Sequence, residues 1–129
     1  MEFSTKRGIP EKRATPCIAV GIYAGHKLSA SADALDRASQ GSVREVLRRG
    51  DMEGKLGSTL LLYRLPGVAA ERVLLVGLGA AADLREREYR DAARAAVKAA
   101  QATGAGSATL CFTEIRAGRG IGPKGDQYV

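Results

Sequence analysis

Tryptophan is absent from this 129-residue sequence, phenylalanine and tyrosine together number six, and there is one histidine. That scarcity removes several chemistries at once. A zinc site built on paired histidines has no second imidazole. His26 itself stands in a polar segment between Gly25 and Lys27 with no cysteine nearby, so it reads as a surface loop residue. A serine nucleophile would need that same imidazole as its base, and no G-x-S-x-G elbow occurs to present one. Unpaired bases would find few aromatic rings to stack on.

Cysteine is equally sparse. Cys17 and Cys111 lie far apart, each inside an apolar run, which provides neither a CxxC redox pair nor a zinc ribbon. They read as buried free thiols of a reducing compartment. No apolar segment approaches the roughly 20 residues of a membrane span. Met1-Glu2-Phe3-Ser4 does not begin a secretory leader, which needs a basic stretch followed by an apolar one. The expectation is a cytoplasmic protein with no membrane partner.

What is present suits one globular domain. Hydrophobic residues make up 45% and charged residues 26%, far from the composition of a disordered chain. The 14 Arg and 6 Lys outnumber 14 acids, for a net charge of +6. Arginines gather at Arg44, Arg48 and Arg49, and again at Arg85, Arg87, Arg90 and Arg94. Such helices could attract DNA through counterion release. Glu86, Glu88 and Asp91 interleave with the second group, which favours a solvated basic face.

Along the chain, Met1 to Lys6 alternates enough for an edge strand, and Gly8 to Thr15 is a polar connecting loop. Cys17-Ile18-Ala19-Val20-Gly21-Ile22-Tyr23 is continuously apolar, as a strand covered on both faces must be. From Ser29, apolar residues recur at Ala32, Leu35 and Ala38 with Asp33, Asp36 and Arg37 between them, which predicts a short helix closed by Gly41. Ser42 and Glu45 form a capping-box pattern for a second helix, with Val43, Val46 and Leu47 inward and Gly50 at its end. Asp51 to Ser58 reads as a charged, glycine-rich loop, Thr59 to Tyr63 as a strand, and Pro66-Gly67 as a turn. Arg72 to Gly79 is the clearest strand, and Asp83 with Glu86 suggests a capping box for a long helix to about Thr103. That helix turns Tyr89, Ala93, Ala96, Val97 and Ala100 inward. Ala108 to Phe112 is a further strand, so residues 72–113 form a β-α-β unit with an expected right-handed crossover. The class is α/β.

Gly77-Leu78-Gly79-Ala80-Ala81-Ala82 fits G-x-G-x-x-A, in which glycines let a pyrophosphate approach a helix start. Asp83 would set a carboxylate at that same helix start. Glu114 comes some 35 residues after Gly79, against the roughly 20 that a ribose ligand requires, so a structural turn is the better reading. Gly120 and Gly125 have P-loop spacing, but Asp126 stands where lysine is needed. The pairs Asp33 and Asp36, and Asp51 and Glu53, read as solvated carboxylates on an exposed helix face and in a charged loop. The residues supply no catalytic, cofactor-binding or metal-ligating set.

Several ordered words remain. They are Met1-Glu2-Phe3-Ser4, Leu47-Arg48-Arg49-Gly50-Asp51, Gly54-Lys55-Leu56-Gly57, Pro66-Gly67 and Ala70-Glu71-Arg72-Val73-Leu74-Leu75-Val76-Gly77-Leu78-Gly79, followed by Tyr89-Arg90 and Thr113-Glu114. Their order and spacing resemble the amino-terminal domain of the leucyl (cytosol) aminopeptidases over residues 1–115. The resemblance implies a three-layer α/β/α sandwich with a mixed sheet, like a macro domain. It further implies an intact enzyme that releases amino-terminal residues, preferentially leucine, from peptides. Such an enzyme would be a homo-hexamer with two divalent metal ions, manganese or zinc, held by a carboxy-terminal catalytic domain that partners this one. No residue of the family's Asn-Thr-Asp-Ala-Glu-Gly-Arg metal signature has a counterpart here, so no site is carried over, and this chain is expected to hold no cofactor of its own. Residues 116–129, with glycines at 118, 120, 122 and 125, read as a disordered or truncated tail.

Overall fold

In this computed structural model, residues 2–4 and 15–112 are described, the first three as backbone only. Most of the expected connecting loop and the glycine-rich tail lie outside them. The elements follow in the order β1 (Glu2–Ser4), β2 (Cys17–Tyr23), β3 (Lys27–Leu28), α1 (Ala30–Ala38), α2 (Ser42–Arg48), β4 (Thr59–Tyr63), β5 (Arg72–Gly79), α3 (Glu86–Ala102) and β6 (Ser107–Cys111).

One mixed sheet runs β1-β6-β2-β5-β4, with β3 returning against the end of β2. β1, β6, β2 and β5 run parallel to one another in that order, whereas β4 is antiparallel to β5 and β3 to β2. The crossover from β5 through α3 therefore carries the chain past β2 before it enters β6.

Continuous apolar runs in β2 and β5 follow from burial on both faces. With side chains alternating across a strand, Cys17, Ala19, Leu74, Val76 and Leu78 face α3, where Tyr89, Ala92, Ala96 and Ala100 complete one core. Ile18, Val20, Ile22, Val73 and Leu75 face the other way, against Ala32 and Leu35 of α1 and Val43 and Leu47 of α2. The result is the three-layer α/β/α sandwich. Tyr89 and Phe112 close the α3 side edge to face, with ring centroids 6.1 Å apart, and the Tyr89 hydroxyl donates to the Phe112 carbonyl at 3.0 Å.

Helix starts depart from the sequence reading in two places. Ser42 is the first residue of α2, not its cap. The chain enters through Gln40 and Gly41, both left-handed, and the Ser42 hydroxyl donates back to the Ser39 carbonyl at 2.7 Å. Asp83 lies in a single 3₁₀ turn, Ala81–Asp83, and α3 starts at Glu86, where the Glu88 carboxylate accepts from the Arg85 N–H at 3.1 Å. Ser29 caps α1 as its position suggests, its hydroxyl accepting from the Ala32 N–H at 3.3 Å.

Candidate functional site

The strongest motif of the sequence, Gly77 to Ala82, ends β5 at the centre of the sheet. Here the loop 52–58 crosses the strand end and takes up the Gly77 and Gly79 N–H groups. The Gly77 N–H donates to the Ser58 carbonyl at 2.7 Å and the Gly79 N–H to the Gly54 carbonyl at 2.8 Å. In return the Gly57 N–H donates to the Gly77 carbonyl at 3.0 Å, and the Ala24 N–H to the Gly79 carbonyl at 2.9 Å.

Backbone approaches so closely that a side chain at Gly77 would overlap the Lys55 carbonyl, and one at Gly54 would overlap the Tyr23 carbonyl. Met52 and Leu56 anchor this crossing in the two cores. α3 does not begin until seven residues after Gly79, and its first turn carries Glu86 and Glu88. The loop 52–58 thus packs against the end of β5, and the first turn of α3 presents carboxylates rather than free positive charge.

The carboxylate pairs separate into two kinds. Asp51 and Glu53 are exposed in the loop. Asp36, expected on a solvated face, is instead buried. Its carboxylate accepts from the Arg44 backbone N–H at 2.8 Å and from the Arg44 Nε at 2.9 Å, while Asp33 takes the same guanidinium at 3.1 Å. This cluster joins α1 to α2 and is structural. No spacing within α1 signals it, because the partner stands eight residues later in the next helix.

His26 is exposed and left-handed in the turn between β2 and β3. Cys17 and Cys111 are buried and form no disulfide. Burial pushes the Cys17 thiol above its ordinary range, opposed by the nearby Arg72 guanidinium. Arg72 sits between Cys17 of β2 and Tyr63 of β4 in the sheet register, and its guanidinium lies 5.8 Å from the centre of the Tyr63 ring.

Among the described residues, no three His, Cys, Asp or Glu side chains gather in a way that could hold a metal ion. They do not fit a two-metal centre. No helix among them is long and apolar enough to cross a membrane.

Two features remain open to solvent. Arg87, Arg90, Arg94 and Lys98 are exposed along one face of α3, and none is paired with a carboxylate among the described residues. Beside that helix a groove of about 530 Å³ lies between α3 and β4, lined in part by Leu61, Tyr63, Ala95, Lys98 and Ala99.

With this geometry in hand, comparison with known proteins is specific. The sequence pattern of the cytosol aminopeptidase family, N-terminal domain, matches residues 19–121. A probable cytosol aminopeptidase of Chromobacterium violaceum is 50% identical over 115 residues, which is 89% of this chain and 22% of that relative. The chain thus spans under a quarter of the length of the curated relatives it matches. Among solved structures, a tomato leucine aminopeptidase variant superposes with a TM-score of 0.64 and 23% identity, over 85% of this chain and 22% of its own. The macrodomain of Thermus aquaticus DarG superposes with a TM-score of 0.69 and 14% identity, over 98% of this chain and 86% of its own. At these identities the two structures speak for the fold alone.

Proposed function

This chain belongs to the cytosol aminopeptidase family, whose N-terminal domain it carries, and we propose that it serves an intact metallo-aminopeptidase as a module without chemistry of its own. The observation that carries this reading is the match of nearly the whole chain to under a quarter of each relative. The intact enzyme would be cytoplasmic and release N-terminal amino acids, preferentially leucine, from peptides. Two divalent ions, manganese or zinc, would activate water and polarise the scissile carbonyl. Because the described residues do not fit such a centre, no step of that chemistry is assigned to them.

The module's proposed work is mechanical. It would partner a C-terminal catalytic domain, contribute to hexamer assembly and shape access to the active site, with residues 1–115 as the folded unit and 116–129 outside it. The test is a chimera in which this chain replaces the N-terminal domain of the Chromobacterium violaceum relative. The chimera should sediment as a hexamer and hydrolyse leucine p-nitroanilide, with the truncated relative impaired in one or both. A chimera no better than the truncated relative would count against the reading.

A second reading, DNA binding, is favoured by the exposed stripe Arg87, Arg90, Arg94 and Lys98 on α3, which pairs with no carboxylate among the described residues. Salt-sensitive retention of duplex DNA, weakened when the three arginines become alanine, would support it, and no retention at low salt would remove it.

A further inference from the structure

β4 ends the sheet, and its outer edge pairs with no described strand. Such an edge leaves alternate N–H and C=O groups unpaired, and proteins usually blunt it with a charge, a proline or a bulge. Thr59-Leu60-Leu61-Leu62-Tyr63 carries no charge or proline, and its register with β5 is unbroken. Leu60 and Leu62 are half-buried on one face and Leu61 on the other, while Tyr63 is 63% exposed. The strand is apolar on both faces and only half covered on each.

The groove beside it follows from the same residues. Thr59, Leu61 and Tyr63 form its strand side, and Ala95, Ala99 and Ala102 its helix side, where the short alanine side chains leave the space. Lys98 also lines it, and Arg94 stands one turn earlier on the exposed face of α3. Neither cation is matched by a carboxylate among the described residues.

Charge decides among the occupants. A second copy adding β4 to β4 about a two-fold axis would set both α3 helices on the same side of the joined sheet. Arg94 and Lys98 of each would then face their like, in molecules that each carry a net charge of +6. Nucleic acid would satisfy the cations but use neither the unpaired strand edge nor the Leu61 floor. An extended polypeptide with carboxylates uses all three.

We propose that β4 and the adjoining flank of α3 form a docking groove for an extended acidic segment of a partner protein, added to the sheet edge as a further strand. Alternate side chains of the segment divide the work. Those turned toward α3 lay their methylenes on Leu61 and the alanines and bring carboxylates to Lys98 and Arg94. Those turned the other way are apolar and cover Leu60 and Leu62.

The proposal is tested with the 129-residue chain and a fluorescent peptide, acetyl-Glu-Val-Glu-Val-Glu-Val-Glu-amide, against its lysine counterpart, by anisotropy at low salt. The acidic peptide should bind at least about tenfold more tightly than the basic one, with the order reversed in the double variant Arg94→Glu, Lys98→Glu. Both substitutions are on exposed side chains, so the fold, checked by circular dichroism, should survive. Methylating alternate backbone nitrogens of the acidic peptide should abolish binding, because a strand addition needs those N–H groups. Equal binding of the two peptides, or full binding by the methylated peptide, would overturn it. So would a stable dimer dissolved by Leu61→Asp, which assigns the edge to a second copy, or displacement of the peptide by duplex DNA.

Discussion

Gly77 and the Lys55 carbonyl lie so close that no side chain fits between them, so the central strand and the loop crossing its end can close only over glycine. Gly77→Ala should therefore destabilise strongly. The obstacle is backbone on both sides, which cannot rotate away as a side chain tip could, and the cost should exceed about 3 kcal/mol in urea unfolding. Gly106→Ala is the control: nothing lies within 4 Å of its would-be Cβ, and its backbone is outside the left-handed region. That variant should unfold within about 1 kcal/mol of the parent, on the stabilising side.

Arg44 holds the buried Asp36 carboxylate, whereas Arg37 meets Asp33 with its own side chain 76% exposed. Arg44→Ala should cost about 1–2 kcal/mol, because it leaves a buried acceptor short of a donor, while the Arg44 guanidinium's own exposure limits the loss. Arg37→Ala should cost under about 0.5 kcal/mol. A double-mutant cycle with Asp36→Ala should return a coupling energy for Arg44 and none measurable for Arg37.

The strands were legible in the sequence because burial on both faces forces unbroken apolar runs in β2 and β5, and their seven- and eight-residue lengths, with Pro16 before the first and Gly79 closing the second, favour a strand over a buried helix. The helix starts were less so. Ser42 with Glu45, and Asp83 with Glu86, have capping-box spacing, but spacing does not state how the chain enters the helix. Left-handed Gln40 and Gly41 moved the first cap, and a 3₁₀ turn displaced the second. Asp36 was misread because its partner belongs to another helix. The crossing of loop 52–58 over β5 was missed as well, although one signal was present. Gly77 leaves room for the Lys55 carbonyl and Gly54 for the Tyr23 carbonyl, while Gly57 and Gly79 take left-handed backbone.

Cys17 links stability to alkaline pH. Burial raises its thiol pKa in the folded state above the ordinary value of 9.0. The folded protein therefore keeps a proton that the unfolded chain has already lost. Stability from this group is full below about pH 9 and is lost as pH rises from there toward the folded value. The urea midpoint should fall between pH 8 and pH 10 by more in the parent than in Cys17→Ala, the difference belonging to this thiol. A fall of equal size in both would refute the assignment.

That the chain carries no catalysis of its own is tested most directly by assaying the purified 129-residue protein on leucine p-nitroanilide with manganese and, separately, with zinc. The expected result is no release of p-nitroaniline above the metal-only blank at any pH where the fold is intact. Sustained metal-dependent turnover that scales with protein concentration and co-purifies with the chain would contradict it, and would place a metal centre in this domain.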